Sequence, residues 1–218
     1  AEVDRTGLVT AVGYHWRALD LMPELRDALA GREVRMVRGA WHDATPTPPW
    51  WRKRAESGGQ IVEQATHVLD LARVLMGEAE VVAALAPQVR RDAWPQSDVP
   101  PASAALLRYR SGPIGVFSAT CALAGPADVL LELFAEGRRI VVDQQRLVVD
   151  DGRTSRIVDV VADPVEAENR AFLDAVRTGD RAHVIASYAD ALASHRLTLA
   201  IQADADTRSG LDSETVGH

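Results

Sequence analysis

Apolar residues recur at helical spacing in several segments of the chain. The clearest segment runs from Gly59 to Met76, where apolar side chains recur every three or four residues and cover one broad arc, and Gly77 supplies the stop. Weaker patterns predict helices over residues 19–30, 166–177 and 188 to about 206, and residues 1–6 have the character of a helix end.

Runs typical of strands fill most of the remaining sequence. Leu8–Tyr14 and Val34–Trp41 are β-rich and mostly apolar, and between Ala79 and Val160 short β-rich runs alternate with Gly, Pro and Asp turns at spacings of about 8–12 residues. The sequence therefore predicts an α+β fold, in which a mostly antiparallel sheet is backed by helices on one face. Without a clear linker, residues 1–218 are predicted to form a single domain.

Composition excludes several classes of protein. The chain has 218 residues, of which 47% are hydrophobic, and a formal net charge of −7, whereas nucleic-acid binders usually carry a basic face. Its single cysteine, Cys121, lies in an apolar run, so a small core residue in a reducing, cytoplasmic compartment is expected. The 218 residues contain no GxGxxG, GxxxxGK[ST] or GxSxG motif, which argues against a nucleotide site or hydrolase elbow of these kinds.

The strongest polar pattern is formed by Glu63, His67 and Asp70. Their spacings place all three on one narrow stripe of the predicted helix, opposite its apolar arc. One interpretation is a solvated helix face with an incidental Glu–His pair. A second is a histidine general acid or base oriented by a carboxylate, and a third is a metal site completed by His15 or His42.

Aromatic and basic residues cluster on both sides of this helix in the sequence. Ordinary packing would explain them, but four of the five tryptophans lie in residues 16–51, which also fits a pocket wall that stacks on a sugar ring or a nicotinamide. The candidate substrate-binding residues are Tyr14, His15, Arg17, Trp50 and Trp51.

The segment Ser57–Gly77 resembles the Gly-Gly-x-x-x-Asp-x-x-x-His-x-x-Asp helix of the Gfo/Idh/MocA oxidoreductases, the family of glucose-fructose oxidoreductase and inositol dehydrogenase. Three other parts of the chain are similar to further parts of the same family: Val12–Arg17, Phe134–Asp143, and Phe172–Asp180 with Ser187–Leu192.

This resemblance implies a fold class and a cofactor. The family has an N-terminal Rossmann domain for NAD or NADP and a C-terminal α+β domain, and the chain resembles only the second. The implied fold class is a C-terminal domain with the Rossmann domain absent, residues 1–6 being the tail of that domain. NAD or NADP would then be bound mainly by the missing part, and the chain alone would be inactive.

The resemblance also implies roles for individual residues. His67 matches the family's catalytic histidine, which accepts a proton from the substrate hydroxyl, and Glu63 stands where the family has an aspartate. Lys53, the only lysine, is outside the family's Glu-Lys-Pro context. The expected substrate is a sugar, cyclitol or related polyol, and the expected assembly is a homodimer or homotetramer through the sheet face. A non-catalytic ligand-binding or dimerisation module is the alternative.

Overall fold

A computed structural model describes residues 2–87, 89 and 91–215. In these residues eight strands form one sheet, in the order β2-β3-β4-β1-β5-β6-β7-β8. The strands are β1 (Val34–Ala44), β2 (Ala79–Leu85), β3 (Ala102–Tyr109), β4 (Ile114–Leu123), β5 (Val129–Ala135), β6 (Arg138–Asp143), β7 (Arg146–Asp150) and β8 (Ser155–Asp159). The pair β1–β4 is parallel and the other neighbouring pairs are antiparallel.

Seven α-helices accompany the sheet in the described residues. They are α1 (Glu2–Thr6), α2 (Met22–Leu29), α3 (Arg54–Ser57), α4 (Gln60–Glu63), α5 (Thr66–Met76), α6 (Pro164–Thr178) and α7 (Tyr188–Thr215). A short 3₁₀ turn, His15–Ala18, precedes α2. None of the helices in the described ranges has the length and apolar character needed to cross a membrane.

Strand β1 lies at the centre of the sheet, and a close contact fixes its position. A side chain at Gly39 would bring its first carbon within 2.3 Å of the Phe117 ring on β4. Only glycine therefore lets these two strands pair with the Phe117 ring lying across the backbone.

The two faces of the sheet differ in burial. Alternate residues such as Leu107, Phe117 and Leu133 are buried in the main core with Leu25 and Leu69 of the helices. The residues between them point to the other face, as expected for a two-residue strand period. Leu106, Ile114 and Val116 are exposed there.

The segment from Gly59 to Met76, predicted as one helix, is broken in the structure. The Ala65 N–H donates to the Gln60 carbonyl at 2.9 Å, five residues back, and a new helix begins at Thr66. Glu63 and His67 therefore lie on different helices, and the predicted single stripe is wrong. Asp70 is also fully buried rather than opposite the core.

Residues 8–14 do not form the predicted strand. They have no regular secondary structure. The Val12 N–H donates to the Ala186 carbonyl at 3.0 Å, and the Tyr14 N–H donates to the Val12 carbonyl. An apolar, β-branched run is not sufficient for a strand, because a strand also needs a neighbour along its length. The last helix, α7, extends to Thr215, beyond its predicted end near Asp206.

Candidate functional site

His67 lies in the first turn of α5 and is surrounded by aromatic rings. Its ring centroid is 4.5 Å from that of His15, 5.6 Å from that of Trp41 and 5.9 Å from that of Tyr14, which meets it edge-on. We call Tyr14, His15, Trp41 and His67 the histidine cluster. The turn at residues 14–18, the end of β1 and the start of α5 thus converge on one imidazole.

Several buried polar atoms in and beside this cluster have no hydrogen-bond partner among the described residues. They include Nδ1 of His67 and Nε1 of both Trp41 and Trp16. A buried donor or acceptor left unpaired costs about 1–3 kcal/mol, so such atoms are rare in a purely structural core. The described residues therefore supply no partner for these hydrogen-bonding groups.

Burial sets the protonation state of the cluster. Loss of solvent lowers the pKa of His67 to about 4, and the neighbouring His15 lowers it further in the same sense. The pKa of His15 is also lowered, chiefly by burial. Burial raises the pKa of Tyr14, whose hydroxyl lies 3.1 Å from Oγ1 of Thr66. At neutral pH both imidazoles are therefore uncharged, and His67 can accept a proton.

Glu63 is not the hydrogen-bond partner of His67 that the sequence predicts. Its Oε2 accepts a hydrogen bond from Nε1 of Trp51 at 2.5 Å. The break at Gln64 and Ala65 explains the difference, because the i,i+4 relation holds only in a continuous helix.

The two candidate tryptophans differ in position. Trp51 is buried and packs with Val99 and Cys121, while Trp50 is 45% exposed. The prediction that Cys121 is a core residue is confirmed. Of the two rings, only Trp50 presents a large free surface.

Arg17 belongs to a buried ion-pair network. Its Nε and Nη2 donate to both carboxylate oxygens of Asp70 at 2.7 and 2.5 Å, and its Nη1 pairs with Asp190. The Ser194 hydroxyl donates to Asp70 at 2.5 Å, and Arg73 contacts Ser194 and Asp190 at 2.8 and 2.5 Å. We call these five residues the Arg17–Asp70 network. All three guanidinium nitrogens of Arg17 are already paired, so they are not available to a substrate.

The hypothesis of a metal site lacks a third ligand. The side chain of His42 follows Trp41 on β1 and therefore points to the opposite face of the sheet. Its Nε2 lies 2.9 Å from the Ser118 hydroxyl. Within the described ranges no group of three His, Cys, Asp or Glu residues has a suitable arrangement.

The sequence does not point to Trp41, a residue of the cluster, or to Thr66, which lies 3.1 Å from the hydroxyl of Tyr14. Trp41 ends a predicted strand and Thr66 lies inside a predicted helix, and neither pattern separates a core residue from a site residue. The concentration of tryptophans in residues 16–51 was the available signal for Trp41.

The glycine turn before α4 does not fit the phosphate groups of a dinucleotide. One glycine pair, Gly58–Gly59, precedes a helix, but both of its N–H groups are used. Gly58 donates to the Arg54 carbonyl at 2.8 Å and Gly59 to the Ser57 hydroxyl at 2.9 Å. A phosphate cradle needs free N–H groups, and this turn has none to offer.

Structures similar to this chain are oxidoreductases. UDP-N-acetylglucosamine 3-dehydrogenase GnnA from Acidithiobacillus ferrooxidans aligns with 94% of the chain at 21% identity and a TM-score of 0.74, over 64% of its own length. Levoglucosan dehydrogenase, in complex with NADH and levoglucosan, aligns with 94% of the chain at 21% identity and a TM-score of 0.75, over 66% of its length. At this level of identity the likeness establishes the fold.

A curated relative, an uncharacterized protein of Schizosaccharomyces pombe, is 27% identical over 224 residues, which cover 88% of this chain and 54% of the relative. A second from the same organism is 26% identical, over 81% of the chain and 53% of the relative. The chain thus spans about half the length of these relatives.

One part of the predicted fold class needs correction. The clause that the Rossmann domain is absent is not supported, because the match covers 94% of this chain but 64–66% of the oxidoreductase structures, and it says nothing of residues outside the match. The absence of a GxGxxG motif is a property of these 218 residues only. The expectation that the chain is inactive loses its basis with that clause.

A family model connects the sequence to this fold directly. Residues 27–141, more than half of the chain, match the model of the GFO/IDH/MocA C-terminal domain. The matched range contains β1, the helix that carries His67, the strands up to β5, and most of β6. The chain therefore belongs to the GFO/IDH/MocA family.

Proposed function

We propose that this chain binds and positions the substrate in an NAD(P)-dependent oxidoreductase that acts on a sugar, cyclitol or related polyol, with His67 as the acid/base. The observation that carries the proposal is His67 itself, a partly buried and neutral imidazole whose Nδ1 has no partner among the described residues. The similar levoglucosan dehydrogenase, whose structure contains NADH and levoglucosan, supports the substrate class.

The proposed reaction divides between the cofactor and the protein. NAD or NADP, when bound, would supply the acceptor for the hydride that leaves the carbon bearing the hydroxyl. His67 takes the hydroxyl proton as the carbonyl forms, which requires the neutral imidazole that burial maintains. A pKa near 4 makes His67 a weak base, so the proton must be passed on. His15, with its ring 4.5 Å away, is the proposed next carrier.

The remaining candidates have supporting roles in this proposal. Tyr14, held by Thr66, fixes the edge of the His67 ring, and the exposed Trp50 offers a face on which a sugar can stack. In this proposal Glu63 supports His67, and the hydrogen bond from Nε1 of Trp51 to Oε2 of Glu63 holds those two residues together. Arg17 acts through Asp70 to position the turn that carries His15.

The test is a turnover assay of the protein that contains this chain, with NAD and NADP and a series of polyols. His67→Ala should lower kcat by about 10²- to 10⁴-fold, the usual contribution of a general base. His183→Gln is the matched control, because His183 is half-exposed beside Asp180 and far along the chain from α5. An unchanged kcat in His67→Ala contradicts the proposed role.

The exposed sheet face supports a second candidate function, a binding or dimerisation module. Leu106, Ile114 and Val116 lie on the neighbouring strands β3 and β4 and are 39%, 48% and 37% exposed. Apolar side chains grouped on one face are typical of an interface, and a homodimer or homotetramer through this face is our proposal.

Light scattering tests this assembly directly. Val116→Arg places a charge in the middle of the face and should dissociate the oligomer, whereas Arg153→Ala in the exposed β7–β8 turn should leave it intact. A wild-type monomer, or an oligomer unaffected by Val116→Arg, contradicts the proposed interface. An oligomer that never reduces the cofactor favours the module over the enzyme.

A further inference from the structure

An open groove lies beyond the end of β1, between the start of β5 and the β6–β7 turn. Its volume is about 530 Å³, within the range of small-molecule sites. Trp41 and Val129 contribute its apolar surface, and Asp43, Asp143, Gln144 and Gln145 contribute its polar surface. We call this space the β1-end groove.

Trp41 connects the groove to the histidine cluster. The side chain lines the groove, and its ring centroid is 5.6 Å from that of His67. Trp41 is only 9% exposed, and its indole N–H has no hydrogen-bond acceptor among the described residues. A buried donor without a partner, in a residue that lines a groove, is the observation that points to a ligand.

The turn that forms one wall of the groove is fixed in position. Oδ1 of Asp143 accepts hydrogen bonds from the N–H groups of Gln145 and Arg146 at 2.6 and 2.8 Å. Asp43 is held in a similar way, with its Oδ1 accepting from the Ala44 N–H at 2.6 Å. In each carboxylate these bonds use Oδ1, which leaves Oδ2 to accept from a ligand.

The charge of the lining selects the chemical class of ligand. Two carboxylates face the groove, and none of the described residues that line it is Lys or Arg. Phosphate groups would be repelled, whereas neutral hydroxyl groups can donate to the carboxylates and exchange hydrogen bonds with the glutamine amides.

We propose that the β1-end groove binds the uncharged, polyhydroxylated part of the substrate that lies away from the reacting carbon. This inference rests on the proposed function, since it extends the site around His67. It assigns recognition of hydroxyl groups to Asp43 and Asp143, and it predicts that neutral polyols are preferred to sugar nucleotides.

Titration of the protein with three probes tests the proposal: levoglucosan, myo-inositol and UDP-N-acetylglucosamine. The indole N–H resonance of Trp41, assigned from its loss in Trp41→Phe, reports binding. Asp143→Asn keeps the Oδ1 that holds the turn but removes the negative charge. We expect this variant and Trp41→Phe to weaken the binding of a neutral polyol by about 2- to 10-fold each.

The control is Asp151→Asn in the β7–β8 turn. Asp151 holds its turn as Asp143 does, accepting from the N–H groups of Arg153 and Thr154 at 3.0 and 2.8 Å, but at the other end of β7. The Asp151→Asn variant should leave the affinity for a neutral polyol unchanged. Equal loss in Asp143→Asn and Asp151→Asn, or tighter binding of UDP-N-acetylglucosamine than of both neutral probes, overturns the proposal. Absence of any response from the three probes also overturns it.

The two proposals fail in different ways. If Asp143→Asn binds polyols as the wild type does while His67→Ala loses turnover, the groove assignment is wrong and the oxidoreductase function stands. If the groove variants weaken binding but no nicotinamide cofactor is reduced, the groove is a binding site and the proposed function is wrong.

Discussion

The histidine cluster and the Arg17–Asp70 network share two elements, the turn at residues 14–18 and helix α5. In the network every nitrogen of the Arg17 guanidinium and both oxygens of Asp70 have partners. In the cluster, one turn away, Nδ1 of His67 and Nε1 of Trp41 have none among the described residues. Burial is similar in the two regions, so burial does not mark the site. The two regions differ in whether their buried polar atoms are paired.

The largest expected effect comes from breaking the paired region. Asp70→Ala leaves the guanidinium of Arg17, whose side chain is 8% exposed, without its main counter-charge. Removing one partner of a buried ion pair costs about 3–5 kcal/mol, so the free energy of unfolding should fall by that amount. Urea denaturation of the wild type and the variant measures the difference.

An exposed ion pair gives the control for this prediction. Glu166 and Arg170 pair on α6 with both side chains about 70% exposed. Because water screens such a pair, Glu166→Ala should cost about 0.5 kcal/mol or less. Equal losses in the two variants would show that the network does not stabilise the fold in the way its geometry indicates.

These two regions also show how far the sequence predicts the site. The pattern of α5 identifies the helix and brings His67 to attention, but it places Asp70 on a solvated stripe. The partners of Asp70 are Arg17 and Ser194, which lie 53 and 124 residues away along the chain. No local period carries information about contacts at that separation, so a buried ion pair and a solvated charge have the same sequence pattern.

Strand pairing shows the same limit of prediction from local sequence. The composition of Val34–Trp41 predicts β1 almost within its observed limits, but its parallel pairing with β4 depends on contacts such as Gly39 with Phe117. Leu8–Tyr14 has an equally good strand composition and forms none. Local preference is similar in the two segments, and the presence of a neighbouring strand decides the outcome.

The second prediction concerns the unpaired region and its dependence on pH. His67 has a folded pKa of about 4, below the value near 6.5 expected for the unfolded chain. Between these values the unfolded state binds more protons, so stability is lost as the pH falls from about 6.5 to about 4. The loss should reach about 3 kcal/mol, as an order of magnitude.

Urea denaturation at a series of pH values measures this loss, with His67→Gln as the test variant. Replacing the imidazole should flatten much of the slope between pH 6.5 and 4. His183→Gln, which changes a histidine outside the cluster, should keep the wild-type slope. If His67→Gln has the same slope as the wild type, His67 is not buried as a neutral group. Part of the slope should remain in any case, since burial also lowers the pKa of His15.

The smallest effect is expected at the paired hydroxyl within the cluster, Tyr14 with Thr66. Tyr14→Phe removes the phenolic oxygen that lies 3.1 Å from Oγ1 of Thr66 and leaves the buried threonine hydroxyl with one partner fewer. A neutral hydrogen bond of this kind contributes about 1 kcal/mol, so the free energy of unfolding should fall by about that much. Thr66→Ser keeps the hydroxyl and should retain the part of the stability that comes from the bond.

If the hydroxyl pair only stabilises the fold, Tyr14→Phe should leave the pH dependence of stability unchanged. If the pair also holds the edge of the His67 ring, as the 5.9 Å edge-on contact indicates, the midpoint of that pH dependence should move with the substitution.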